Sequence, residues 1–302
     1  MLRTLTSAVC ALAITRVALA EPPKSEKKPE TASKAGPKGS GKASPKAPAK
    51  AAAPKLAKAD LDRWKHALES GNQAEMSGAL TEIAALGPNG ATAAPLVDAL
   101  LGAGANEAVL VAALDAEEQL AAPASSTAVA PYVAHRKPEI RRAAARALSK
   151  TGGPVAAAAL RRALSGADPA VRGVAASGLG TLGATDAVED LFAVLGHDTA
   201  EAAVAIAQLC SPEQCDRLMA LVGKLKFEVL EASFVPLLLR PPTAVPDANK
   251  LRYIDRLRRL ATKPAAAVLQ TTLASIPKDE SPTLRAALQT ALKARPVVGD
   301  TK

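Results

Sequence analysis

Two cysteines five residues apart are the side chains of this 302-residue chain best placed for redox chemistry. Cys210 lies at the end of one predicted helix and Cys215 in the first turn of the next, with Ser-Pro-Glu-Gln between them. A tight turn between two helices brings such cysteines within disulfide distance. Their even number favours a bridge in an oxidising compartment, and two buried thiols are the alternative. The spacing is not that of a thioredoxin-type motif, so we predict a structural disulfide.

Other residue types that carry chemistry are scattered. The three histidines are far apart in sequence, and none has a metal-ligating partner at helical spacing; they are His66, His135 and His197. Adjacent carboxylates occur at Glu117-Glu118 and Glu189-Asp190, but neighbouring residues of a helix point in different directions, so we expect solvated faces. Nucleophile and phosphate-binding motifs do not occur. We therefore predict no catalytic, cofactor-binding or metal-binding residues, no cofactor, and a chain that is not an enzyme.

The N-terminal region differs in composition from the rest of the chain. Residues 1–20 begin with Arg3, continue with an apolar run that includes Cys10, and end in Ala18-Leu19-Ala20, which predicts a signal peptide cleaved after Ala20. The apolar run is too short to span a bilayer, so we expect no transmembrane helix in the mature chain. We predict export, with the mature protein periplasmic or secreted.

Residues 21–58 hold ten lysines against three glutamates, and they contain most of the net charge of +9. This Lys-, Pro- and Ala-rich composition predicts a disordered, extended linker. A solvated spacer without a specific partner is the simplest interpretation. The alternative is a linker that contacts an anionic envelope surface.

The elements that must position any site are set by a repeat. The stretch KPEIRRAAARALSKTG from Lys137 aligns without a gap with DPAVRGVAASGLGTLG from Asp168, 31 residues later, and a weaker copy starts at Asp198. A period of this length is typical of stacked helical hairpins. The recurring structural positions are Pro138, Arg141, Leu148, Asp168, Pro169, Arg172, Leu179 and Gly183.

Each recurring position has a physical role in the predicted hairpin. Asp168 caps a helix whose first turn holds Pro169. Gly183 ends that helix by adopting a left-handed conformation. We expect Arg141 and Arg172 to bridge adjacent units through carboxylates or helix-end carbonyls.

The order Asp-Pro-x-Val-Arg-x-x-Ala-Ala-x-x-Leu-Gly-x-Leu-Gly from Asp168 to Gly183 resembles a HEAT repeat, and the short period resembles the subtype also found in phycobilisome-lyase proteins. The resemblance implies an all-α, right-handed α-solenoid of about seven antiparallel hairpins over residues 59–302. A bilin lyase or isomerase activity would follow from the resemblance alone, and fold similarity is a weak basis for function.

Charge alternates in blocks along the predicted solenoid: residues 60–118 and 186–216 are acidic, and residues 136–162 and 250–263 are basic. The blocks either pair across neighbouring repeats or steer a partner, and we favour pairing. The helix over 249–262 is the best candidate for contact with a lipid or polyanion, although a solvated capping helix is commoner. The candidate partner-contacting residues are Arg142, Arg146, Arg161, Arg162, Arg252, Arg256 and Arg259.

Together these features predict a non-catalytic protein–protein interaction scaffold in the bacterial cell envelope, with another protein as its partner. One alternative is a bilin lyase-like protein. The other is a polyanion-binding protein that uses the Lys-rich linker and the basic helices. Export and the scarcity of aromatic residues for stacking disfavour nucleic acid.

Overall fold

A computed structural model describes residues 56–278 and 280–293, and the predicted signal peptide and nearly all of the linker lie outside these ranges. The described residues form fifteen α-helices and no strand, apart from one isolated bridge between Val222 and Leu225. The all-α prediction is therefore confirmed. The helices are α1 (Lys58–Glu69), α2 (Gln73–Ala85), α3 (Ala94–Ala103), α4 (Glu107–Leu120), α5 (Ser126–Val129), α6 (Pro138–Thr151), α7 (Gly153–Leu164), α8 (Pro169–Thr181), α9 (Val188–Leu195), α10 (Ala200–Leu209), α11 (Pro212–Met219), α12 (Phe227–Leu238), α13 (Asp247–Arg259), α14 (Lys263–Ser275) and α15 (Pro282–Lys293).

The helices alternate between two layers. Even-numbered helices pack in series, each on the next even-numbered helix, from α2 to α14. Odd-numbered helices form the second layer, in which α1, α3, α5 and α7 follow one another and α11, α13 and α15 continue. Pairing each even-numbered helix with the helix that follows it gives seven hairpins after α1, as the repeat predicted. Within the described residues, no helix is both long and apolar enough to cross a bilayer.

The repeat motif has the local structure that its residues predict. The Asp168 side chain accepts hydrogen bonds from the amides of Ala170 and Val171, at 2.9 and 3.4 Å, and thereby caps α8. Gly183 follows the end of α8 with φ of 69°, a left-handed conformation that glycine adopts without steric cost. The amide of Ala184 then donates to the Leu179 carbonyl and completes the turn.

Small residues let the even-numbered helices approach closely. The buried face of α6 includes Ala143, Ala144 and Ala147, and α8 buries Gly178 and Gly180. A Cβ on Gly178 would lie 2.2 Å from Ser149 Oγ of α6, and one on Gly180 would lie 3.2 Å from the Ala205 Cα of α10. Larger residues at these glycines would force the helices apart.

We predict that Gly178→Val destabilises the protein by about 1–3 kcal/mol, because the added methyl groups overpack the α6–α8 contact. Ser177 is the neighbouring exposed residue of the same helix, so Ser177→Val should change the free energy of unfolding by less than about 0.5 kcal/mol. Urea unfolding followed by circular dichroism measures both. Equal stability of the two variants would contradict the close approach of these helices.

Candidate functional site

The two repeat arginines make the same contacts one period apart. Arg141 Nη1 donates to the carbonyls of His135 and Arg136, at 3.1 and 3.0 Å. Arg172 Nη1 donates to the carbonyls of Gly166 and Ala167, at 2.9 and 3.1 Å. Each arginine therefore ties its own helix to the loop that precedes it. Both arginines contact backbone carbonyls, and Arg141 also contacts the Asp168 carboxylate of the next repeat.

Asp168 also joins one repeat to the next. Its carboxylate lies 3.3 Å from Arg141 Nη2 and 3.2 Å from Arg142 Nη2, both on α6, while it caps α8. Burial acts to raise the pKa of Asp168, but the amides of Ala170 and Val171 and the Arg142 guanidinium outweigh it and lower the pKa. Asp168 is thus held ionised at the junction of two hairpins.

The charge blocks pair across neighbouring repeats, as we favoured from sequence. Arg146 of α6 contacts Asp115 and Glu118 of α4 at 2.6 and 3.0 Å. Arg161 of α7 contacts Asp186 and Asp190 at 2.7 and 2.6 Å. Other pairs of this kind join Lys137 to Glu107, Arg217 to Glu189, Lys226 to Asp198, and Arg252 to Asp216. Exposed pairs of this kind contribute about 0–1 kcal/mol each, so they favour the correct register more than they add stability.

The seven candidate partner-contacting arginines now fall into two groups. Five contact carboxylates of the chain itself: Arg142, Arg146, Arg161, Arg252 and Arg259. Arg162 and Arg256 are exposed and have no carboxylate partner within the described ranges. Arg256 Nη2 donates to the Val222 carbonyl at 3.1 Å, which leaves most of its N–H groups free of protein acceptors in this part of the chain.

Cys210 and Cys215 are bonded to each other, with their Cα atoms 5.3 Å apart, and both side chains are buried. Arg240 Nη1 donates to the Cys210 carbonyl at 2.6 Å, next to the two sulfurs. Arg285 Nη1 donates to the Ile276 carbonyl at the end of α14 in the same way, also at 2.6 Å. Neither arginine stands out in the sequence as a site residue. Both arginines therefore donate to a carbonyl at the end of a helix, Arg240 at the end of α10 and Arg285 at the end of α14.

We predict that the purified protein, exported through its own N-terminus, resists alkylation at Cys210 and Cys215 until it is reduced under denaturing conditions. The mass after iodoacetamide treatment measures this. Replacing both cysteines by serine should lower the free energy of unfolding by about 2 kcal/mol, because the bridge closes a loop of only a few residues. Alkylation of both cysteines in unreduced, denatured protein would contradict the bridge.

The exposure of Glu117 differs from the prediction. We expected a solvated carboxylate, but Glu117 is 0% exposed on the core side of α4, and neither oxygen has a donor in the described part of the chain. The Ser125 hydroxyl donates instead to Asp98 Oδ2 at 3.1 Å. Burial raises the pKa of Glu117 to about 8, and the negative charge of Asp98 adds a smaller contribution in the same direction. The sequence prediction was wrong because Glu117 falls on the same helix face as Ala113, Leu114 and Leu120.

This burial predicts a pH dependence of stability with a definite sign. The folded protein keeps Glu117 protonated up to a pKa of about 8, whereas the unfolded chain ionises it near its ordinary value of 4.5. Stability should therefore fall as pH rises between these values, by at most about 1.4 kcal/mol per pH unit from this group. Glu117→Gln, which stays neutral, should show a smaller slope.

The measurement is urea unfolding at several pH values from 5 to 8. Glu139→Gln is the control, because Glu139 is exposed on α6. Its slope should equal that of the unsubstituted protein. Equal slopes for the Glu117 variant and the unsubstituted protein would contradict a protonated, buried Glu117.

The histidines lie on separate elements: His66 is on α1, and His135 and His197 are in connections between helices. In the ranges that the structure describes, no group of three or more His, Cys, Asp or Glu residues is arranged to hold a metal ion. The structure thus brings together none of the residues that sequence analysis considered for metal binding.

Clefts recur between successive members of the odd-numbered layer. A cleft of about 410 Å³ lies between α1 and α3, and one of about 710 Å³ between α7 and α9. A third, of about 490 Å³, lies between the segment 130–134 and α7, and a fourth, of about 590 Å³, between α11 and α13. Val155 lines the α7–α9 cleft with 42% of its surface exposed, which is unusual for a large apolar residue in this protein. The odd-numbered layer therefore offers a groove between three pairs of its successive helices.

Comparison with known families confirms the repeat. The sequence model of a family described as "PBS lyase HEAT-like repeat" matches residues 140–166, which comprise most of α6 and all of α7. The resemblance to short HEAT-like repeats is thus shown for this hairpin. No curated protein matches the chain.

Two solved structures illustrate the similarity of fold. One is the complex of CpcE and CpcF of phycocyanin lyase from Nostoc sp. PCC7120, with 18% identity, 82% of this chain and 97% of that chain covered, and a TM-score of 0.45. The other is a designed armadillo repeat protein, with 17% identity, 77% and 98% coverage, and a TM-score of 0.39.

These findings correct one expectation from sequence. We predicted that the chain is not an enzyme, but residues 140–166 match a repeat that the family model describes as PBS lyase HEAT-like, so that prediction was wrong. The scarcity of catalytic motifs was therefore an insufficient ground for excluding catalysis. The prediction of an all-α helical repeat is unaffected by this correction.

Proposed function

We propose that this protein binds another protein along the odd-numbered layer of its helical repeat, and that it does so in the bacterial cell envelope. The observation that carries the proposal is the set of three clefts between successive odd-numbered helices, α1 and α3, α7 and α9, and α11 and α13. Stacked repeats use such extended surfaces to bind elongated partners. Binding of this kind is compatible with catalysis by the chain or by the assembly that it joins.

The charges of the surface support a protein partner over a polyanion. Five of the seven candidate arginines are held by the chain's own carboxylates, which lowers the positive field available to a nucleic acid. The clefts also carry apolar residues such as Val155 and Leu96. Mixed apolar and charged surfaces suit a protein partner.

Placement in the envelope rests on the N-terminal sequence alone. An apolar run followed by Ala18-Leu19-Ala20 supports export with cleavage after Ala20. The mature protein should therefore begin at Glu21, and Edman sequencing of the protein from a cell fractionation measures this. Recovery in the cytoplasm with an intact N-terminus would contradict the placement.

We predict that tagged full-length protein captures a partner from envelope extract, and that the purified partner binds it in isothermal titration. Val155→Glu should weaken that binding about tenfold or more, because it places a charge in the α7–α9 cleft. Ser177→Glu is the matched control, since Ser177 is exposed on α8 of the other layer. Failure to capture any partner above background, or equal loss of binding in both variants, would contradict the proposal.

A further inference from the structure

The α11–α13 cleft differs from the other clefts in the number of guanidinium groups that line it. Arg252, Arg256 and Arg259 lie on α13 at helical spacing, and all three are exposed. The apolar part of the lining consists of Met219, Ala220 and Val222 from the α11 side and Leu260 from the end of α13. A charged ligand with an aliphatic stem would fit both parts of this lining.

The two aspartates of the cleft already accept hydrogen bonds from side chains of the protein itself. Asp216 accepts hydrogen bonds from Arg252 Nη2 at 2.9 Å, from the Tyr253 hydroxyl at 2.6 Å and from Asn249 Nδ2 at 3.3 Å. Burial, followed by the bond to Asp216, raises the pKa of Tyr253 to about 12, so this donor stays protonated at neutral pH. Asp255 accepts from Arg258 Nη2 and Arg259 Nε, both at 2.7 Å.

Arg256 lies between these two satisfied carboxylates without one of its own. It donates only to the Val222 carbonyl among the described residues, although a guanidinium has five N–H donors in a planar fork that matches a carboxylate. The remaining donors face a cleft of about 590 Å³. Arg256 is thus the part of this cleft with unused binding capacity for an anion.

We infer that the α11–α13 cleft binds an acidic peptide segment of the protein partner, with Arg256 holding a carboxylate of that segment. The inference rests on the proposed function and specifies one site for it. Three arginines against two aspartates leave an excess of one positive charge in the lining. An excess of one positive charge suits a single carboxylate better than the dense negative charge of a nucleic-acid backbone.

The test uses full-length protein and a fluorescein-labelled peptide of alternating leucine and glutamate. Fluorescence anisotropy should show binding that weakens as salt increases. The same peptide with glutamine in place of glutamate should bind with an affinity at least about tenfold lower. Arg256→Gln should lose about tenfold in affinity for the acidic peptide, because a charge-assisted hydrogen bond is lost. Arg258→Gln is the matched control: Arg258 is on the same helix and contacts only Asp255.

A second variant tests the site without removing Arg256. Ala220→Glu adds a carboxylate to the α11 wall of the cleft, and it should reduce binding of the acidic peptide to the same degree. Melting temperatures of all variants show whether they are folded. Equal affinity for the acidic and glutamine peptides, or equal effects of the Arg256 and Arg258 variants, would overturn the inference.

Two further outcomes separate this inference from its alternatives. If single-stranded oligo-dT competes with the peptide and binds more tightly in an Arg256-dependent manner, the cleft is a polyanion site and the inference is wrong. If Arg256→Gln binds the captured partner as tightly as the unsubstituted protein, the cleft is not the site although the proposed function stands. Failure of capture alone would count against the proposed function, while the peptide titration still reports on the cleft.

Discussion

Close approach of the even-numbered helices is the constraint on which the rest of the structure depends. Gly178 and Gly180 of α8 face α6 and α10 at distances where a side chain would clash, and the buried residues of α6 and α10 are largely alanine. Small residues bury little surface each, so the stability of such a layer comes from many short contacts instead of a few large ones. The composition, rich in aliphatic residues with only 2% aromatics, is consistent with this mode of packing.

Tight packing within the even-numbered layer does not by itself set the register between successive hairpins. Other interactions must do so. The ion pairs that join them connect residues 25 to 36 positions apart in sequence, close to the repeat period. Each pair is partly exposed and weak, but a shifted hairpin would place like charges together, which costs energy at many sites at once. The alternating acidic and basic blocks therefore serve mainly to pair each hairpin with its correct neighbour in the chain. These internal pairs involve most of the arginines that the sequence suggested for contact with a partner.

How far the structure follows from the sequence depends on whether a residue's role is local. Asp168, Pro169 and Gly183 act within a few residues of their own position, so capping and turn rules predicted them correctly. Arg240 and Arg256 act through residues far along the chain, and no local rule places them. The burial of Glu117 could have been suspected from the apolar residues at its helical spacing, Ala113, Leu114 and Leu120. The unpaired state of Arg256 depends on which carboxylates its neighbours take, and that becomes visible only in three dimensions.

The same division explains why fold was easier to derive than function. Repeating local rules produce the helical hairpins, and those rules recur recognisably over residues 140–166. Binding depends on the odd-numbered layer, where helices such as α5, α9 and α11 are short and the clefts between them differ in lining. The residues of the odd-numbered layer are not restricted to small side chains by close helix packing. Their identity can therefore suit a particular partner. In the α11–α13 cleft the unpaired donor is Arg256, whose neighbours Arg252 and Arg259 are already satisfied. Specificity in a repeat of this kind therefore resides in the exceptions to its internal charge pairing, because only those groups gain a bond when a partner arrives.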